Sequence, residues 1–235
     1  LGVPLYATPF TAGLIRGKLE EEGIEEKVEL NIVDEEGPFN LGPFRITYTP
    51  LAHSIPEGNA VLIETPYGRV FHTGDWKLDD APALGGASTA AELTAIGDKG
   101  VLALVCDSTN VFNPEASGSE GAVREGLDQV IGAAKGRVLV TTFASNAARL
   151  QTLGEVARDT GRELCVAGRS LDRILRVAKQ TGYLRDFPDT VDFETAMDLP
   201  ANKVLIVATG GQGEPRAALN RIAEGSHVLK VHEGD

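Results

Sequence analysis

GRVLVTTFASNAARLQTLGEVARDTGRELCVAGRSLDRILRVAKQ, residues 136–180, decides the fold class. Two runs rich in Val, Leu and Thr, at 137–143 and 163–167, read as strands. Each is followed by a stretch with apolar residues three and four apart, at 145–160 and 170–181, which reads as a helix. Ser145 or Asn146 is placed to cap the first helix, and Gly168 permits the tight bend before the second. Outward from this stretch the alternation continues. A helix is expected over 120–135, stopped by Gly136, then a strand over 203–208 and a helix starting at Pro215, a favoured first position. Strand–helix alternation of this kind builds a parallel sheet covered on both faces, so residues 113–235 are expected to form an α/β domain with a doubly wound parallel sheet.

Toward the amino terminus the character changes. NPEASGS, residues 113–119, is a turn-rich linker, and residues 1–112 form a separate first domain. That domain reads as β-rich and layered. Strands are expected over 4–7, 28–33, 44–49 and 101–106, with a hairpin of 60–64 and 69–73 turning at Pro66-Tyr67-Gly68. A helix over 10–22 ends at Gly23, and loop and helix are expected over 78–100.

The net charge is −12 and the sequence pI about 4.8, which taken whole argues against a nucleic-acid binder. The distribution qualifies that. Lys135 to Arg185 holds ten basic residues against four acidic ones, which hints at a segment facing a polyanion; charge alone weighs this no more than a set of solvated helix faces. No apolar run approaches the ~18 residues of a membrane span, and no secretory pattern is seen, so no membrane role and a cytoplasmic location are expected. Cys106 and Cys165 lie inside apolar runs and read as small buried hydrophobes. The chain starts at Leu1 in mid-pattern, which suggests a processed or truncated piece.

Chemistry-bearing residues sit at strand ends. His53 follows an apolar strand in ITYTPLAHSIPEG, and Asp75 ends the second hairpin strand in RVFHTGDWKLD. Imidazole and carboxylate are ordinary ligands for Zn²⁺, and a carboxylate can bridge two ions. As isolated residues the signal is weak: a lone His after a strand is more often a surface or hydrogen-bonded residue, and a lone Asp after Gly more often a turn former. In the second domain, Phe143, Ser145, Asn146 and Arg149 occupy a strand-to-helix turn where a phosphate and a base could be held. AGRS offers Gly168, Arg169 and Ser170 at a second such turn. TGGQGEP offers Gly210, Gly211, Gln212, Gly213 and Glu214 at a third, where glycines allow close backbone approach. It is neither a dinucleotide fingerprint nor a P-loop. All three turns fall at the C-terminal ends of parallel strands, where open α/β sheets bind ligands.

The words HSIPEGNA, HTGDWKLD, VLALVCDSTN, TTFASNAARLQ, AGRS and ATGGQGEPRAALNRIAEG occur in this order along nearly the whole chain. Together they resemble the RNase J group of metallo-β-lactamase-fold β-CASP nucleases. The resemblance implies a partial metallo-β-lactamase αββα core over 1–112 and a β-CASP domain over 113–235. It implies His53 and Asp75 as metal ligands, Asp75 and Asp107 as catalytic acids, and two zinc ions in the intact protein. It implies single-stranded RNA as substrate, cut internally or from a 5′-phosphorylated end. Two departures stand out. The His-rich HxHxDH segment and the later His motifs of the family are absent, so the isolated chain is expected to be inactive, with at most a weak metal site. Gly211 stands where the family usually has Ser. His72 resembles a strand residue and not a ligand, and His227 and His232, expected on a last strand, receive no role. Rival readings are a small-molecule hydrolase of the same superfamily, such as a thioesterase or lactonase, and a non-catalytic RNA-binding module. The oligomeric state is left open, with a homo-oligomer compatible with the sequence.

Overall fold

The computed structural model describes residues 2–34, 37–79, 82–115 and 118–232. The chain divides into two compact units, Leu1–Ser119 and Glu120–Asp235. The first opens with β1 (Leu5–Ala7) and helix α1 (Pro9–Glu21), and β1 pairs in parallel with β2 (Leu30–Ile32). Proline at the first position of α1 sacrifices no helical hydrogen bond. A five-stranded sheet follows, built from β3 (Phe39–Leu41), β4 (Phe44–Pro50), β5 (Asn59–Thr65) and β6 (Gly68–His72). Helix α2 (Ala90–Asp98) then leads to the fifth strand, β7 (Ala103–Val105). β3 to β6 form an antiparallel meander, and β7 joins β6 in parallel. Leu51, Ala60, Leu62 and Phe71 make the core on one face, closed over by Leu93 and Ile96 of α2. A capping box between Thr89 and Glu92 starts that helix.

The second unit alternates as its sequence pattern demands. Its elements are α3 (Glu120–Ala133), β8 (Val138–Thr141), α4 (Ala147–Asp159), β9 (Glu163–Ala167), α5 (Arg169–Gln180), α6 (Phe193–Asp198), β10 (Val204–Ala208) and α7 (Ala218–Ala223). β10 lies between β8 and β9, parallel to both. Cys165 and Ala167 of β9 with Val204, Ile206 and Ala208 of β10 pack against Ala196 of α6 and Ala218 and Ile222 of α7. The alternate residues Leu164, Val166, Leu205 and Val207 are buried too, so both faces of the sheet are covered, as near-continuous apolar strands require.

Several boundaries differ from the sequence expectation. β3 and α6 appear where none was expected. The helix after β10 begins at Ala218 and not at Pro215, because the Thr209 hydroxyl accepts the Ala218 N–H at 3.0 Å and sets the start three residues later. No strand carries His227; its ring is buried edge-on against Phe193 at 5.0 Å, and among the described residues none follows α7. Cys165 is buried as expected, but Cys106 is exposed, since β7 is the last strand of its sheet and an apolar sequence there meets no further strand among the described residues. Of the linker expected over 113–119, residues 116 and 117 lie outside the described residues.

Candidate functional site

In the first unit, β4, β6 and β7 run in the same direction, so their C-terminal ends share one edge of the sheet. His53, Asp75 and Asp107 each follow one of those ends by two or three residues. The loop with His53 is closed at its base by the Leu51 N–H donating to the Gly58 carbonyl at 2.8 Å. A Cβ at position 58 would stand 2.7 Å from the Leu51 oxygen, so only glycine fits. Glu57 adopts a left-handed conformation, φ 57°, and its buried carboxylate accepts the Phe10 N–H at 2.8 Å. It thereby supplies the cap that the Thr8 side chain does not give α1.

The Asp75 loop is tied to the His53 loop directly, because the Lys77 N–H donates to the Ala52 carbonyl at 3.0 Å. His72 uses Nδ1 to accept the Gly74 N–H at 3.0 Å, which shapes the turn presenting Asp75. The third loop is joined to the second through Thr73, whose N–H donates to Val105 and whose hydroxyl accepts the Asp107 N–H at 3.1 Å. Asp107 accepts the Thr109 hydroxyl and N–H at 2.6 and 2.9 Å. Those bonds hold its carboxyl below the usual range, with a smaller contribution from the charge of His53. Among the described residues no three His, Cys, Asp or Glu side chains cluster as a metal cage. His53 and Asp75 supply two ligand types where a tight zinc site takes three or four, so the residues present do not by themselves fit the metal.

In the second unit the three expected turns also share one edge, since β8, β9 and β10 are parallel. After β8, Phe143 is half-exposed, Ser145 is exposed, and Asn146 caps α4 by accepting the Arg149 N–H at 2.8 Å. After β9, Gly168 has φ 142°, and a Cβ there would meet Thr209 at 2.9 Å. Arg169 and Ser170 open α5, both exposed. After β10, Gly210 has φ 123° and would press a Cβ to 2.7 Å from Leu219. Gly211 faces Thr141, and the Gln212 N–H donates to the Glu214 carboxylate at 3.1 Å. Between the second and third turns lies an open cavity of about 450 Å³, bordered by Ala144, Ser170, Thr209, Glu214 and Arg216.

Thr209 and Arg216 were not singled out from the sequence, although Thr209 opens the TGGQGEP word and Arg216 follows it. Thr209 binds two turns together: it packs on Gly168 and caps α7. Arg149 is differently placed from its expectation. Its guanidinium forks onto Glu120, with Nε to Oε1 at 2.6 Å and Nη2 to Oε2 at 3.2 Å, so a phosphate there would have to displace a carboxylate. Arg162, another member of the basic stretch, is buried and donates to the carbonyls of Ile131, Ala134, Gly136 and Val204. The positive character of this stretch is therefore partly internal structure.

Residues 135–235 match the family described as Ribonuclease J, beta-CASP domain. Ribonuclease J of Sinorhizobium meliloti is 42% identical over 223 residues, which is 95% of this chain and 40% of that protein. Ribonuclease J of Thermus thermophilus is 40% identical over 236 residues, 99% of this chain and 41% of that one. Ribonuclease J2 of Bacillus subtilis is 35% identical over 237 residues, 100% and 43% respectively. The chain thus spans about 40% of the length of these curated relatives. A crystal structure of a protein of unknown function from Enterococcus faecalis V583 superposes with a TM-score of 0.60 over 87% of this chain and 53% of that one, at 14% identity, which is a likeness of fold. No helix among the described residues is long and apolar enough to cross a membrane. The chain is accordingly RNase J-like, with a β-CASP domain of the Ribonuclease J kind over residues 135–235.

Proposed function

We propose that the intact protein hydrolyses phosphodiester bonds of single-stranded RNA, internally or from a 5′ end. On this reading the first unit is part of a metallo-β-lactamase core, the second is a doubly wound β-CASP domain, and both work in the cytoplasm. The observation that carries the reading is the twofold gathering of chemistry at strand ends: His53, Asp75 and Asp107 on one sheet edge, and the Phe143, Arg169 and Gly210 turns on the other. Such edges combine rigid scaffolding with exposed loops. Phe143, half-exposed, stacks on a base; Arg169 and the backbone of the Gly210–Gly213 turn hold phosphate; Ser145, Ser170 and Gln212 add polar contacts. Zinc belongs to the reading only in the intact protein, where further ligands would have to join His53 and Asp75.

Phe143 and Arg169, exposed at the second-unit edge, could hold RNA without any metal and so favour a second reading, a non-catalytic RNA-binding module. One measurement separates them. Purified intact protein is incubated with 5′-monophosphorylated oligoribonucleotides, and cleavage and binding are recorded for the parent, Asp75→Asn, Phe143→Ala and Arg169→Ala. The hydrolase reading expects cleavage lost in Asp75→Asn with binding retained. It expects Phe143→Ala to cost about 1–3 kcal/mol of affinity with little change in salt slope. Binding without cleavage by the parent selects the module. If Phe143→Ala and Arg169→Ala bind like the parent at every salt concentration, the second-unit edge is not the RNA surface.

A further inference from the structure

Helix α5 stands apart from the other helices in charge. Its apolar side, Leu171, Ile174, Leu175, Val177 and Ala178, is buried in the second unit. The remaining side carries Arg169, Asp172, Arg173, Arg176 and Lys179, a net charge of +3 within a chain of −12. Among the described residues no other helix exceeds +1, and α2, α3 and α6 are net acidic. At 100° per residue, Arg169, Arg173, Arg176 and Gln180 fall within an arc of about 60°; Lys179 lies about 60° outside it, with Asp172 in between. The three arginines therefore form a line, spaced by roughly one helical turn, about 5–6 Å. That is the scale separating neighbouring phosphates on an extended strand.

Two further observations separate this line from a merely solvated face. Arg149 and Arg162, from the same basic stretch, donate to internal partners, while Arg169 and Arg176 are exposed at the surface; Lys179, exposed too, lies 5.4 Å from the Phe187 ring. Arg169 also occupies the first position of α5, and Arg173 follows one turn later. Cations at a helix N-terminus oppose the helix dipole at a cost of about 0.3–1 kcal/mol each, so helix stability alone does not select them there.

We propose that the outer face of α5, along Arg169, Arg173 and Arg176 with Lys179 to one side of its far end, is a second RNA-binding surface. It takes the sugar-phosphate backbone of the strand that extends beyond the turns at the sheet edge. The inference rests on the reading of that edge as an RNA site and lengthens it by about 15 Å, the rise from residue 169 to 179. The face reads charge and not sequence, since it offers no aromatic side chain for stacking.

The test uses intact protein and phosphorothioate oligouridylates with a 5′-monophosphate, about 3 and about 10 nucleotides long, titrated at several salt concentrations. The triple variant R173Q/R176Q/K179Q is compared with the parent, with R173K/R176K, which keeps the charge, and with Phe143→Ala. The expected result is a loss of ten-fold or more in affinity for the long strand. Its salt slope should fall by about two, at roughly 0.7 for each phosphate no longer neutralised. The short strand should bind the triple variant like the parent, and R173K/R176K should bind both strands like the parent. Unchanged affinity and slope for the long strand overturn the proposal. An equal loss for both lengths overturns it too, because it points to a long-range field or a folding defect. Failure of the edge reading looks different: Phe143→Ala then leaves the short strand unaffected.

Discussion

Replacing Arg149 by alanine strands a carboxylate. Glu120 is the first residue of α3, its side chain is 11% exposed, and its other contact is the Thr152 hydroxyl at 3.3 Å. Removing one member of a buried ion pair costs about 3–5 kcal/mol, and the 25% exposure of Arg149 lowers this to roughly 2–3 kcal/mol. The loss falls on the junction of α3 with α4. Hydrogen exchange on the α3 amides of the intact protein should therefore quicken by about 30- to 150-fold in Arg149→Ala. Arg124 makes the second link between these helices, to Glu155 and Asp159, but all three side chains are 34–48% exposed. Arg124→Ala should accordingly speed the same amides by no more than about five-fold. The double replacement Arg149→Met with Glu120→Leu should recover most of the protection, since a buried pair is replaceable by apolar groups of similar size. Exchange in Arg149→Ala within a factor of about two of the parent would refute the assignment of Arg149 to Glu120. It would also restore Arg149 as a candidate phosphate ligand.

Two further outcomes follow from the titratable groups. Burial, with Asp192 and Asp172 adding, pushes the Cys165 thiol up to about 11, whereas Cys106 is exposed. Iodoacetamide at pH 8 should alkylate Cys106 in the folded protein and Cys165 only after denaturation, as read by peptide mass spectrometry; early labelling of Cys165 would contradict its burial. His227 is held below its ordinary value by burial and then by Arg221 and Lys230, so the unfolded chain takes up its proton more readily than the folded one. Its contribution to stability is present above about pH 6.5 and is lost as the pH falls below that value. His227→Gln should flatten the fall in unfolding midpoint between pH 7.5 and 5, and equal slopes in the two proteins would show that the ring is not coupled to folding.

The alternating second unit was legible because β9 and β10 are buried on both faces and the helices on one, so residue periodicity separates them. The gathering of Phe143, Arg169 and Gly210 on one edge followed from parallel strands and held. What escaped depends on partners distant in sequence. The start of α7 is set by Thr209, nine residues upstream of Ala218. The partner of Arg149 lies 29 residues away in Glu120, and no local pattern couples them. The apolar run ending at Cys106 reads as a buried strand, yet its exposure depends on whether another strand lies beside it, and local sequence does not carry that. β3 and α6 are too short, three and six residues, to impose a periodicity.

The contact of Thr209 with Gly168 has a consequence for how this domain changes over generations. The turns after β9 and β10 are joined through one hydroxyl-bearing side chain that has no room on one side and a capping duty on the other. Neither turn can lengthen, shorten or acquire a bulkier residue without a matching adjustment in its neighbour. Variation at residues 168 and 209 should therefore be correlated among descendants, and a loop graft that carries one turn into another scaffold without its neighbour should lose the conformation of both.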